Sequence, residues 1–283
     1  MEIKVLCTGS PTPHPARGGT SIVIEADDNP ILVDCGPETI SNSLEYNVRL
    51  EKINHLFFTH HHIDHNSDFF YFAISTWVEG RDELKVYGPK GTEELLAAFQ
   101  DIYAEDFEYR QSALGNSLEG VTDIDYEQTT PDLSVKTDSW SAEALPVEHA
   151  IETFAYRFSE HSTGTSVVFT GDTRKLDSVA EFASGADILI HDCDDAPMID
   201  NPNDEVWDRY KQKYPFSEDL KSVLRTGHSN PTEAGEVAAA ADVETLVLTH
   251  IRPYRDTSKM KEQAESVFDG TVIIAEDGLT ITP

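Results

Sequence analysis

The chain of 283 residues carries 52 acidic against 21 basic side chains, a formal charge of −31 at neutral pH. That balance lacks the basic footprint by which nucleic-acid binders are recognised, and no run of eighteen apolar residues marks a membrane span. With 39% apolar residues in regular short segments it is not a disordered polyacid either; the acidity reads as adaptation to molar salt, where counterions screen self-repulsion.

In chain order, the β-rich runs IKVLCT (3–8), TSIVIEA (20–26) and ILVDC (31–35), cut by Gly/Pro/Asp turns, predict a strand meander. A helix over 38–47 follows, then the strand HLFFT (55–59), a helix over 65–77, the strand KVYG (85–88) and a helix over 92–103. Further strands are predicted near 133–138, 143–147, 153–159, 165–170 and 187–192. The polar, irregular stretch 193–220 reads as a loop plus a surface helix, a lid or a dimer contact. The end predicts helix 232–241, strand 245–249, helix 258–268 and strand 271–275. No linker interrupts this alternation, so residues 1–283 are expected to form a single domain. Cys7, Cys35 and Cys193 suit neither a disulfide framework nor a CxxC knuckle, and MEIKVLCTGS has no basic-then-apolar leader. Reduced thiols and a cytoplasmic location are expected.

Two strands, HLFFTH (55–60) and TLVLTH (245–250), both end in Thr-His. Each places a histidine at a carboxyl strand end, where open α/β sheets build their sites. In THHHIDH (59–65), residues two apart in extended backbone point the same way, so His60 and His62 can share one ion while His61 faces elsewhere. Asp64 and His65 are offset enough to serve a second ion.

This motif resembles that of the metallo-β-lactamase superfamily, whose later stations appear in order as His149 (LPVEHAIETF), Asp172 (VVFTGDTRK) and His250 (TLVLTHIRPY). The resemblance covers nearly the whole chain and implies an α/β fold, the αββα sandwich of two mixed β-sheets flanked by helices. It implies two divalent metal ions, one on His60, His62 and His149, the other on Asp64, His65 and His250, with Asp172 bridging. Asp34, in LVDCG, would orient the histidine loop. Zn²⁺ is the default, and a mixed N/O site also accepts Mn²⁺ or Fe²⁺. Such a pair brings a shared water into the neutral titration range, and the bridging hydroxide attacks an ester.

LCTGSPTPHPARGGTS, STWVEGRDELKVYGPKGT, LIHDCDD and GHSNPTEAG look like the ribonuclease Z and arylsulfatase-like branch. That resemblance implies that Asp64 orients the nucleophile and that His228 stabilises developing charge or protonates the leaving alkoxide. His191 matches the branch, but Asp192 stands where it has glutamate and Asn230 where it has threonine. Arg174 and Arg252, each two residues past a ligand position, either clamp an anionic ester or pair with acidic neighbours. Gly18 and Gly19 permit close approach of a ligand or a tight hairpin. Trp77 is expected to pack in the core, His55 and His161 to have no chemical role, and His14 to lie near the site rim.

Residues 150–171, all that separate His149 from Asp172, leave no room for the basic-tipped arm with which short ribonuclease Z enzymes grip tRNA. The expected substrate is therefore a smaller phosphodiester or sulfate ester, with nucleic acid not favoured. Ribonuclease Z-type tRNA 3′ processing is the alternative, and a non-catalytic, metal-stabilised binding member the second. The resemblance also implies a homodimer.

Overall fold

The structure, a computed structural model, describes residues 1–195 and 226–283. Among the described residues, fourteen strands form two seven-stranded sheets. The first has the order β14-β1-β2-β3-β4-β5-β6. Its members are β1 (Glu2–Thr8), β2 (Thr20–Ala26), β3 (Asn29–Val33), β4 (His55–Phe57), β5 (Lys85–Gly88), β6 (Asp125–Gln128) and β14 (Leu279–Ile281). The second runs β13-β12-β11-β10-β9-β8-β7. It comprises β7 (Ser134–Lys136), β8 (Trp140–Val147), β9 (Thr153–Glu160), β10 (Ser166–Phe169), β11 (Ile188–Asp192), β12 (Thr245–Thr249) and β13 (Thr271–Ile274). Both sheets are mixed. The β3–β4–β5–β6 ladder and the β10–β11–β12–β13 ladder are parallel, and the remaining pairs antiparallel.

Period-2 alternation sorts each strand between two cores. Ile31, Val33, Phe57, Ile188, Ile190 and Val247 point between the sheets, where they meet Trp140, Tyr156 and Phe158. Leu32, Leu56 and Phe58 face outward under α1 (Thr39–Glu45), α3 (Phe69–Val78), α4 (Thr92–Ile102) and α5 (Ala104–Leu114). Leu189, Leu246 and Leu248 face outward under α6 (Asp177–Phe182), α7 (Pro231–Ala241) and α8 (Thr257–Glu265). The layering is the expected αββα sandwich. All three cysteines are free and buried, and no helix among the described residues is long and apolar enough to cross a membrane.

Several elements differ from the sequence reading. The helix expected over 65–77 is broken into the single turn α2 (Ile63–Asn66) and α3. Asp68 sits at the break, its N–H donating to the Cys35 carbonyl and its carboxylate accepting from the Ile40 N–H; such local bonds compete with a continuous helix. Helix α5 went unanticipated because of its first ten residues only Phe107 is buried, leaving no apolar stripe to read. The edge strands β6 and β14 were missed too, being short and largely uncovered. Beyond Asp195, the expectations for 193–220 fall outside the described residues.

Phe57 ties the sheets together: its ring stacks on Tyr87 at 4.3 Å and meets Tyr156 and Phe158 edge-on at 5.2 and 5.1 Å. Phe57→Ala should cost about 3–5 kcal/mol, the usual penalty for emptying such a position, read as a lower urea midpoint at unchanged m-value.

Candidate active site

Six strand ends meet at one rim. β3 and β4 run parallel and deliver Asp34 and His60 from the first sheet. β10, β11 and β12, also parallel, deliver Asp172, Asp192 and His250 from the second. Two antiparallel steps return β8 to the direction of β10, so His149 emerges at the same edge. Hydrogen bonds stitch the sheets there: Phe154 N–H to the Thr59 carbonyl (3.0 Å), Ile251 N–H to the Thr8 carbonyl (2.9 Å) and the Tyr156 hydroxyl to the Phe58 carbonyl (2.8 Å).

The imidazoles converge in two groups. His60 Nε2 and His149 Nε2 each lie 3.1 Å from His62 Nδ1. In the second group, His250 Nε2 stands 3.1 Å and His65 Nε2 3.6 Å from Asp64 Oδ2. Asp172 lies between, its Oδ2 3.7 Å from His60 Nε2 and 3.3 Å from His250 Nε2, its Oδ1 3.5 Å from His65 Nε2. His61 turns away, bonded to Thr92 Oγ1 and Asn66.

Outer partners fix the ring protons. Asp34 accepts the Thr59 N–H on Oδ1, and on Oδ2 both the Thr59 hydroxyl and His65 Nδ1, each at 2.8 Å. Having spent its proton on Asp34, the Thr59 hydroxyl accepts from His60 Nδ1 at 3.0 Å. His149 donates Nδ1–H to the Gly227 carbonyl at 2.8 Å. The Nε2 lone pairs of His60, His65 and His149 therefore point inward. Among the described residues, His65 Nε2 and Asp64 Oδ1 are buried without a hydrogen-bond partner, a costly state for polar atoms unless an ion takes them. An inward set of imidazole nitrogens and carboxylate oxygens fits divalent cations of the zinc type. Ligand atoms of His60, His62, His149 and Asp172, and those of Asp64, His65 and His250, lie within 4.8 Å of one another. Burial alone would raise Asp172, yet His250 and His65 hold it well below the usual carboxylate range. Burial pushes His60 well below the usual imidazole value.

Beside this cluster, His228 Nδ1 meets Asp192 Oδ2 at 2.9 Å. The two arginines are engaged with acids rather than open to an ester: Arg174 pairs with Glu148 (Nε–O 2.8 Å), and Arg252 Nε lies 2.6 Å from both oxygens of Asp194. His191 hydrogen-bonds the Asp192 carbonyl through Nδ1 and belongs to none of the metal-capable groups among the described residues. Asn230 caps α7 in a reciprocal box with Glu233. The loop glycines approach protein, not open space: a Cβ on Gly19 would lie 2.5 Å from the Asp64 carbonyl oxygen, and one on Gly36 would overlap it. Trp77 packs in the outer core under Arg110. His55 sits edge-on to Trp140, and His161 faces the Asp138 carbonyl. His14 lines a 150 Å³ cleft that reaches Asp64. Sequence reasoning passed over Thr59 and Asp194. The second had a signal: Asp194 follows Asp192 by two residues, and in extended backbone both aim the same way.

The model of the family described as "Beta-lactamase superfamily domain" matches residues 29–251. Ribonuclease Z of Methanopyrus kandleri is 28% identical over 298 residues, covering 99% of this chain and 97% of that protein. Ribonuclease Z of the salt-loving Haloferax volcanii is 30% identical over 320 residues, covering 98% and 93%. Among solved structures, the metallo-beta-lactamase fold protein YhfI from Bacillus subtilis superposes with TM-score 0.75 at 23% identity, covering 99% and 98%. Human tRNase Z, short form, gives 0.65 at 20%, covering 100% and 98%. By the extent of the family match and the likeness to the Haloferax protein, the chain belongs to the beta-lactamase superfamily and, within it, to the ribonuclease Z family.

Proposed function

We propose that this protein is a metal-dependent hydrolase of phosphodiester bonds in RNA, of the ribonuclease Z type. The observation that carries this reading is the complete inward set of nitrogen and oxygen donors with the His228–Asp192 pair beside it on the same rim. The relatives named Ribonuclease Z, one from a halophile, support RNA over the small ester favoured by sequence alone. That small-ester reading stays second on one observation: β9 and β10 are joined by a short turn, with Ser166 opposite Ser159, where no arm is inserted.

His60, His62 and His149 would hold one divalent ion, Asp64, His65 and His250 the other, and Asp172 both; zinc suits the donor set. When bound, the ions supply Lewis-acid activation of water and of the phosphate oxygens. The side chains do the rest. Asp34 and Thr59 lock the inward tautomers of His65 and His60. Asp64, whose Oδ1 makes no hydrogen bond to the described protein groups, would give one oxygen to the ion and keep the other to orient the attacking water. His228, its Nδ1–H fixed by Asp192, is placed to give a proton to the departing ribose oxygen.

Chelator-stripped protein in molar KCl should lose cleavage of a pre-tRNA 3′ trailer by more than about 10²-fold. Zn²⁺ or Mn²⁺ should restore it in the wild type and not in His62→Ala, with circular dichroism unchanged. Full activity after verified stripping would refute the reading, whereas cleavage of a bis-aryl phosphodiester with pre-tRNA untouched would promote the second.

His228 also predicts a pH effect. Burial alone would push it down, but the carboxylates of Asp192, Asp172 and Asp194 raise it from 6.5 to about 10. A folded pKa above the unfolded one means stability that is complete below 6.5 and lost as pH rises through about 10. Urea unfolding of metal-free protein at pH 6, 8 and 10 should therefore show a decline that is shallower in His228→Ala.

A further inference from the structure

Asp194, absent from the sequence reading, is fully buried two residues past Asp192. Its N–H bonds to Asp192 Oδ1 at 3.0 Å. Arg252 Nε reaches both carboxylate oxygens at 2.6 Å, and Arg255 Nη2 bonds the Asp194 carbonyl while lying 3.6 Å from Oδ1. The other side of the carboxylate looks into the site: Oδ2 is 3.7 Å from His228 Nε2 and 3.9 Å from His250 Nδ1. Asp192 works on the same two rings, with Oδ2 2.9 Å from His228 Nδ1 and Oδ1 3.5 Å from His250 Nδ1. Those rings stack at 5.3 Å with planes 16° apart.

Two adjacent buried carboxylates repel, and a buried charge is tolerated only when paired. The guanidinium on Asp194 meets that condition. It also leaves the carboxylate no freedom to swing toward His228 as a tight ion pair, so Asp194 acts at a fixed stand-off. We infer that Asp194, anchored by Arg252, is a positioning residue that sets the His228 and His250 rings against each other, so that one is held for metal and the other for proton donation. The kinetic consequence rests on the proposed hydrolase function; the metal-binding consequence does not.

Asp194→Ala should lower kcat on the cleaved phosphodiester about 10–100-fold with KM within about twofold, and weaken Zn²⁺ binding to the metal-free protein, measured by calorimetry, to a similar degree. Asp194→Asn, which keeps the shape and an acceptor, should recover most of both. Wild-type kcat and Zn²⁺ affinity in Asp194→Ala, or a lowered thermal midpoint with both intact per folded molecule, would overturn the inference. If Asp194→Ala does not fold, Arg252→Gln decides: weakened Zn²⁺ binding supports the anchor, and wild-type binding refutes it. A wild-type protein that cleaves no phosphodiester sinks the proposed function, while the Zn²⁺ titrations still decide the role of Asp194.

Discussion

The site depends on one buried carboxylate. Asp34 is fully inaccessible, leaves β3 at φ 57°, and accepts three hydrogen bonds, from the Thr59 N–H, the Thr59 hydroxyl and His65 Nδ1. Through the hydroxyl it reaches His60 as well. One side chain therefore fixes a histidine of each group, which is how so compact a stretch as THHHIDH contributes rings to both groups without their competing. The price is a left-handed backbone at a residue with a Cβ, offset by its own N–H bonding the Phe57 carbonyl and by Gly36 and Gly19 admitting the Asp64 carbonyl beside it.

The second sheet repeats the device with different parts. His250 leaves β12 at φ 60°, as Asp34 leaves β3, and its outer nitrogen faces Asp192 and Asp194 rather than a single acid. Cross-sheet bonds at Thr59 and Thr8 hold the two halves in register. The metal-capable groups draw on both sheets, so the site is complete only when the interface core headed by Phe57 is packed. Fold stability and site geometry are accordingly one property here.

What could be read from the sequence follows from what period and spacing encode. Strands buried on both faces show as runs such as ILVDC and TLVLT, and donor spacing in THHHIDH is local, so the layers and the histidine loop were legible. His149, Asp172 and His228 came only through a family resemblance, because nothing local says which distant strand ends meet; His250 was also marked by the Thr-His ending that TLVLTH shares with HLFFTH. Helix α5 and the edge strands bury too little to leave a pattern. Arg174 and Arg252 were ambiguous in sequence because a guanidinium near a site and one near an acid look identical; Glu148 and Asp194 resolve them. Thr59 left no signal in the sequence, since what sets it apart is a hydroxyl hydrogen-bonded between Asp34 and His60.

The same pairing constrains how an anionic substrate is met. With 52 acids to 21 bases, the surface repels a phosphodiester at low salt, and Arg174 and Arg252 are already bound to carboxylates. In the proposed reaction, the cations that the histidine and aspartate groups would hold, and a protonated His228, would supply attraction inside the rim. Molar salt shortens the Debye length to about 3 Å, which silences the acidic surface but leaves contacts at bonding distance nearly intact. On that proposal an acidic exterior and an anionic substrate are compatible, because attraction at bonding distance acts over less than the screening length.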